Sequence, residues 1–158
     1  MCHSQLIFFR LKYTIFTFAL PCESQLMTAY FSKLQDLQEN AYAPYSKFQV
    51  AAILVMKNGL EFTGVNVENA SFAGTLCAER SAFASAVSKM GHQGGYQALH
   101  LLGGSSDNYC MPCGICRQVI AEFVDDEFEV VVYNQNGDRR VFDINELMPH
   151  RFSDRSLD

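Results

Sequence analysis

Two short segments, LCAER at residues 76–80 and PCGIC at residues 112–116, decide the interpretation of this chain. Each is expected to begin a helix. Thiolates are stabilised at helix N-termini by unpaired backbone N–H groups and by the positive end of the helix dipole. Cys77, Cys113 and Cys116 can therefore form three corners of a tetrahedron, which is the geometry and the ligand type that zinc prefers.

A zinc ion with three protein ligands keeps its fourth position for water, and this separates a catalytic zinc from a closed structural one. Glu79 stands two residues after Cys77. A carboxylate there can act as a proton shuttle without being a ligand. Two alternatives stay open. Cys110 could complete a structural site as a fourth ligand, although it precedes Pro112 and is expected in a loop, and Glu79 could be an ordinary solvated acid in the first helical turn.

The rest of the chain alternates helical and extended patterns. Strong turn signals are Asn58-Gly59 and Asn136-Gly137. Thr28 is a plausible N-cap for the first helix, and Pro44 is expected to end it. The predicted order is a helix from 28, strands 48–56 and 60–67, a helix at 76–90, a strand at 98–102, a helix from 112 to 123, strands 129–133 and 140–144, and a short helix holding Leu147. This order predicts one α/β domain with about five strands and helices on both faces.

Charge and cysteine usage exclude some classes of protein. The chain has 158 residues and a net charge of −5, and its twelve basic residues are scattered except for Arg139-Arg140. Proteins that bind nucleic-acid polymers concentrate Lys and Arg, so such a partner is not expected. Three of the six cysteines fall within residues 110–116. In a cytoplasmic enzyme such clustering indicates metal binding rather than disulfides.

Residues 1–26 differ from the rest and are treated as an N-terminal extension of uncertain status, followed by the domain at residues 27–158. The apolar run at residues 6–20 contains Arg10 and Lys12. It is too short and too interrupted to span a membrane, and it makes a poor signal peptide. Three interpretations remain: an unprocessed targeting segment, an added strand or helix, or a stretch that is not made because synthesis starts at Met27.

Four separated motifs occur in one order along the chain: 42–48, 65–72, 76–80 and 112–118. Together they closely resemble the small homotetrameric zinc-dependent cytidine deaminases, over roughly residues 27–152. The resemblance implies a three-layer α/β/α cytidine-deaminase-like fold with a mixed sheet of about five strands. It also implies hydrolytic deamination of free cytidine and deoxycytidine to uridine and deoxyuridine plus ammonia in cytoplasmic pyrimidine salvage, with Zn²⁺ and no organic cofactor. Partners are then the small nucleoside substrate and three copies of the chain, with no nucleic-acid polymer and no membrane.

The resemblance also assigns roles to individual positions. The assigned residues are Cys77, Cys113 and Cys116 as zinc ligands, Glu79 as the acid and base, Asn66 and Glu68 on the ribose hydroxyls, Phe48 on the base, the Ala78 N–H and the Cys113 carbonyl on the pyrimidine edge, Arg80 on the ligand sulfurs, and Phe152 as a C-terminal aromatic that reaches a neighbouring subunit. Arg80 has a physical reason as well. Three thiolates carry one more negative charge than Zn²⁺ neutralises, and a guanidinium bonded to sulfur withdraws part of it.

Simpler interpretations compete with several of these roles. Asn66 and Glu68 could be polar residues at a strand end, Phe48 an ordinary core residue, Arg80 a surface residue and Phe152 part of a frayed tail. Two related activities also compete. One is a polynucleotide-editing deaminase, which needs a basic and aromatic strand channel. The other is a deaminase of a nucleoside-like antibiotic, which can share a three-cysteine zinc site.

Overall fold

The computed structural model describes residues 6–11, 14–19, 23–104, 107–153 and 156–157. Its elements, in chain order, are β1 (Leu6–Leu11), β2 (Thr14–Ala19), α1 (Glu23–Gln38), β3 (Val50–Met56), β4 (Glu61–Val65), a 3₁₀ turn (Phe72–Gly74), α2 (Ala78–Met90), β5 (Tyr96–Gly103), α3 (Gly114–Phe123), β6 (Glu129–Tyr133), β7 (Arg139–Asp143) and α4 (Ile144–Leu147). Within these residues no helix is both long and apolar enough to cross a membrane.

Five strands form the central sheet in the order β4-β3-β5-β6-β7. β5 and β6 pair in parallel, while the other three pairs are antiparallel, so the sheet is mixed. One buried cluster, including Leu34, Ile53 and Leu102, lies between the sheet and α1. A larger cluster, including Phe83 and Ile120, lies between the sheet and α2, α3 and α4. The predicted three-layer α/β/α fold is therefore confirmed.

The central strand β3 shows why the layers form. All seven of its residues are buried, and its sequence VAAILVM is apolar throughout. A strand covered on both faces cannot alternate apolar and polar side chains, since each face must pack against a helical layer. β4, at the sheet edge, alternates exposed and buried positions instead. The two patterns together place α1 on one face of the sheet and α2 on the other.

Three predicted helix boundaries were wrong. α1 begins at Glu23, so Thr28 lies inside the helix and is not its N-cap, and α1 ends at Gln38, well before Pro44. Residues 23–27 read ESQLM and contain several good helix formers, so the helix extends past the expected cap. α3 begins at Gly114 with Cys113 as its N-cap, so Pro112 precedes the helix rather than opening it.

The N-terminal strands form a sheet of their own. β1 and β2 pair antiparallel, with Leu6 opposite Ala19, and they are separate from the five-stranded sheet. Residues 1–5, 12–13 and 20–22 of the predicted extension lie outside the described residues. The division of the chain at residue 27 stays a prediction, and α1 crosses it.

Gly64 fixes the position of α2 on the sheet. A Cβ atom at Gly64 would collide with the Ala78 carbonyl oxygen and the Ala82 backbone nitrogen. Only glycine lets a strand and a helix backbone approach this closely. The start of α2, with the cysteine and the glutamate that flank Ala78, is therefore held directly against β4.

His100 on β5 is buried between aromatic side chains. Its ring stacks on Tyr30 with the centroids 4.0 Å apart, and its Nδ1 lies 3.1 Å from the Tyr133 hydroxyl. Burial, with a contribution from Arg139, lowers the pKa of His100 to about 4. Below pH 6.5 the unfolded chain therefore binds a proton that the folded chain does not, and stability falls as the pH drops from about 6.5 to about 4.

We expect His100 to lower the free energy of unfolding by about 2 kcal/mol between pH 7.5 and pH 5, since each unit of pKa difference between the folded and unfolded chain corresponds to about 1.4 kcal/mol. His100→Gln should lose correspondingly less over the same interval. The measurement is the free energy of unfolding by denaturant at both pH values for both proteins. Equal losses in the two proteins would show that His100 does not cause the acid sensitivity.

Candidate active site

Three cysteine sulfurs meet where α2 and α3 begin. Cys77 is the N-cap of α2, Cys113 is the N-cap of α3, and Cys116 lies in the first turn of α3. Their Sγ atoms all lie within 4.8 Å of one another, and Cys77 and Cys113 are 4.0 Å apart. Sulfurs at the corners of a tetrahedron with Zn–S bonds of about 2.3 Å would be about 3.8 Å apart. The three residues therefore fit a zinc ion.

The backbone leaves these thiols available as ligands. Cys77 and Cys113 both have extended backbone angles, and neither side chain accepts a capping hydrogen bond from its helix. Contacts with the Cys116 thiol and the Arg80 guanidinium lower the pKa of Cys77 to about 5. The reciprocal contact with Cys77, together with burial, raises the pKa of Cys116. One thiolate is thus already favoured in the cluster, beside two helix N-termini.

Cys110 lies outside this sulfur group. Within the described residues, the side chains grouped closely enough to share a metal are Cys77, Cys113 and Cys116. Burial raises the pKa of Cys110 to about 12, which keeps its thiol protonated. Cys110 packs against β5, where a Cβ atom at Gly103 would collide with it. This arrangement disfavours the alternative of a closed four-cysteine structural site.

Glu79 occupies the second position of α2, directly beside the sulfurs. The residue is only 4% exposed. Burial raises the pKa of its carboxyl group, and the charge of Cys77 adds to the effect. A solvated first-turn acid would be exposed, so that alternative does not describe Glu79. A carboxyl group whose pKa is moved towards neutrality can both give and take a proton.

Arg80 contacts one of the sulfurs. Its Nη2 donates to the Thr75 carbonyl at 2.7 Å and to Cys77 Sγ at 3.6 Å. Its buried Nε has no hydrogen-bond partner among the residues that the structure describes. The contact with Cys77 also raises the pKa of the guanidinium. Arg80 is therefore held at the cluster and is not a free surface residue.

A cavity of about 410 Å³ opens beside the cluster, within the size range of small-molecule sites. Its wall brings together predicted site residues from separate segments of the chain. The lining residues are Ser46, Phe48, Val50, Asn66, Glu68, Thr75, Cys77, Ala78, Glu79, Cys110, Met111 and Cys113. Among these lining residues, the sequence did not point to Ser46, Val50, Thr75 and Met111.

Asn66 and Glu68 follow the end of β4 and are both buried. Asn66 Oδ1 accepts from the Val50 N–H at 2.8 Å, and Asn66 Nδ2 donates to the Phe48 carbonyl at 2.8 Å. Glu68 Oε2 accepts from the N–H groups of Tyr45 at 2.9 Å and Ser46 at 3.2 Å. Each side chain keeps unused hydrogen-bonding capacity, so each can still bind a ligand.

The aromatic wall and the helix start complete the cavity. Phe48 is substantially exposed, and its ring packs against Gly104, which has a φ of +73° and where a Cβ atom would collide with the ring. Phe48 is thus a wall residue and not part of the core. Ala78 is fully buried as the first residue of α2, where helix N–H groups have no intrahelical partner.

Phe152 lies away from this cavity. Its side chain is 59% exposed, and its carbonyl accepts from Gln118 Nε2 at 3.1 Å. It is not among the residues that line the cavity of its own chain.

A buried carboxylate beside three thiols at helix starts, on the wall of a cavity of this size, defines the class of zinc-dependent hydrolytic deaminases. Comparison with known families agrees with this class. Residues 24–133 match the cytidine and deoxycytidylate deaminase zinc-binding region. The chain belongs to the cytidine deaminase family of enzymes.

Individual relatives support the same assignment. A cytidine deaminase of Sporosarcina psychrophila is 40% identical over 120 residues, covering 76% of this chain and 86% of that protein. A probable cytidine deaminase of Dictyostelium discoideum is 39% identical and covers 78% of this chain and 81% of its own length. The crystal structure of cytidine deaminase from Burkholderia pseudomallei superposes with a TM-score of 0.74 at 41% identity, covering 79% of this chain and 98% of that chain.

Proposed function

We propose that this enzyme deaminates free cytidine and deoxycytidine to uridine and deoxyuridine, with release of ammonia, in cytoplasmic pyrimidine salvage. The observation that carries the proposal is the placement of Glu79 and of the sulfur cluster on the same cavity as Asn66 and Glu68. At one end of this cavity Glu79 can transfer protons beside the sulfur cluster, and at the other end Asn66 and Glu68 can bind the hydroxyl groups of a sugar.

Cys77, Cys113 and Cys116 would hold the zinc ion. When bound, zinc supplies Lewis acidity that lowers the pKa of a water molecule towards neutrality. Arg80 donates to Cys77 Sγ and so withdraws negative charge from a ligand sulfur. The N-termini of α2 and α3 act in the same direction.

Glu79 is the proton carrier of the reaction. It takes a proton from the attacking water and gives it to N3 of the cytosine ring as the new C4–O bond forms. It then takes the second proton from the new C4 hydroxyl and delivers it to the 4-amino group, so that the C4=O bond forms as the C4–N bond breaks and ammonia leaves. Because burial raises the pKa of Glu79, the carboxyl group can hold each proton during its transfer.

The remaining wall residues orient the nucleoside. Phe48 packs on the base, the Ala78 N–H and the Cys113 carbonyl bind the pyrimidine edge, and Asn66 and Glu68 bind sugar hydroxyls. Lys and Arg are missing from the described residues that line the cavity. Together with the net charge of −5, this supports an uncharged nucleoside as substrate rather than a polynucleotide.

Loss of either sugar-binding side chain should weaken substrate binding and leave the metal in place. Glu68→Ala and Asn66→Ala should each raise KM for cytidine at least about tenfold, since buried polar partners of a substrate hydroxyl contribute strongly. Zinc content should stay at that of the wild type. The measurements are steady-state kinetics and metal analysis, with the exposed Glu122→Ala as control. If free cytosine were as good a substrate as cytidine, the sugar-binding role would fail.

We further propose that the enzyme is a homotetramer in which Phe152 enters the cavity of a neighbouring subunit. Phe152 is exposed and lies away from its own cavity, so it is free to contact another chain. An apolar groove of about 240 Å³ between α2 and α3, lined by Phe83, Val87, Val119 and Phe123 among others, offers a surface for association.

Light scattering should then report a mass near four chains. Phe152→Ala should raise KM for cytidine several-fold and retain zinc, whereas Leu157→Ala, another exposed apolar residue near the C-terminus, should not. A fully active monomer would overturn both parts of this proposal.

A further inference from the structure

Ser46 connects two walls of the cavity. It lies between α1 and β3, and its side chain is among those that line the cavity. The Ser46 hydroxyl donates to Glu68 Oε1. The Ser46 hydroxyl oxygen also accepts a hydrogen bond from the Phe48 N–H at 2.9 Å. A serine hydroxyl has one donor and two acceptor positions, so it can make both contacts at once.

Glu68 is held mostly by the segment that contains Ser46. Its Oε2 accepts two backbone N–H groups, from Tyr45 and Ser46, and its Oε1 accepts the Ser46 hydroxyl. The hydroxyl is also the largest cause of the lowered pKa of Glu68. A carboxylate has about four acceptor positions, and three are used here. About one position is therefore left for a sugar hydroxyl, which both proposed substrates can supply.

Phe48 is fixed from both sides of its backbone. Its N–H donates to Ser46 Oγ, and its carbonyl accepts from Asn66 Nδ2. Lys47, between Ser46 and Phe48, has a φ of +59°, a left-handed conformation that is uncommon outside glycine. This turn brings the Phe48 N–H back towards the Ser46 hydroxyl. The hydrogen bonds thus run from Phe48 through Ser46 to Glu68.

We propose that Ser46 is a positioning residue that fixes the Glu68 carboxylate relative to Phe48, and so sets the spacing between the sugar end and the base end of the cavity. The inference rests on the proposed function, since Glu68 and Phe48 must bind the two ends of one nucleoside. Ser46 acts through these residues and takes no part in proton transfer, because Glu79 lies at the sulfur cluster.

The test is Ser46→Ala in the zinc-loaded enzyme. KM for cytidine should rise about tenfold, because the lost hydrogen bond is made to a charged group, while kcat stays within about threefold and zinc content is unchanged. Ser46→Thr keeps the hydroxyl and should restore most of the affinity. Ser88→Ala, an exposed serine on α2, should behave as the wild type.

Two further readouts separate positioning from a general structural role. The inhibition constant of 2′,3′-dideoxycytidine, which has no ring hydroxyl, should change less than about twofold in Ser46→Ala. Ser46→Ala should also add little to KM in a Glu68→Ala background, because the residue it positions is already gone.

An unchanged KM in Ser46→Ala, an equal loss of dideoxycytidine affinity, or multiplying effects in the double variant would each overturn the inference. These outcomes are distinguishable from failure of the proposed function. If the proposed function failed, the wild-type enzyme itself would not deaminate cytidine.

Discussion

Glu79→Gln is expected to lower kcat for cytidine by about 10²–10⁴-fold or more, since general acid–base groups contribute on this scale and Glu79 acts in two successive steps. Glutamine is nearly isosteric with glutamate and cannot relay a proton. The side chain is buried at the start of α2, so its shape is retained while its chemistry is lost.

The measurement combines single-substrate kinetics with zinc analysis and thermal unfolding. Zinc content and the unfolding temperature should stay close to those of the wild type, which separates a catalytic effect from loss of the site. Glu122→Gln, an exposed glutamate on α3, is the matched control for loss of a carboxylate and should keep full activity. Near-normal kcat in Glu79→Gln with zinc retained would remove Glu79 from the mechanism.

Cys113→Ala is expected to abolish zinc binding at stoichiometric concentration, and activity with it. Loss of a residue that only supports a ligand already costs about 10–100-fold in metal affinity, so loss of a ligand should cost more. The fold should survive, because the Cys113 side chain is exposed and makes no capping hydrogen bond to α3.

Cys110→Ala is the matched control for that experiment. Cys110 lines the same cavity and lies three residues before Cys113, but its sulfur is outside the group of three. The wild type and Cys110→Ala should each bind one zinc per chain in a titration against a chromogenic chelator. If both cysteine variants lost zinc equally, the choice of ligands would be wrong.

The sulfur cluster could be predicted from the sequence because each of its parts is local. A cysteine at the start of a helix and a glutamate two residues later need no knowledge of distant contacts. The apolar run at residues 48–56 predicted a strand for the same reason, and β3 lies within it. The parallel pairing of β5 with β6 joins residues about thirty positions apart and was not predicted; the resemblance to a known fold implied only that the sheet is mixed.

Other features depend on contacts that leave no pattern in the sequence. Ser46 and Glu68 are twenty-two residues apart, so their hydrogen bond leaves no local signal. The contact of the Phe48 N–H with Ser46 likewise spans a left-handed turn at Lys47 that the residue type does not predict. The start of α1 was misplaced at Thr28, because a good capping residue also fits inside a helix when the residues before it favour helix. Cys110 could be set apart from the ligands only when the positions of the sulfurs were known.

The most direct test of the central claim is the product formed from a set of cytosine-containing substrates. Zinc-loaded enzyme would be incubated with cytidine, deoxycytidine, free cytosine, single-stranded DNA and RNA, and ammonia and the uracil products would be quantified. Rapid release from cytidine and deoxycytidine, with little from the other three, is the predicted result. Deamination of a polynucleotide without deamination of either nucleoside would contradict the account.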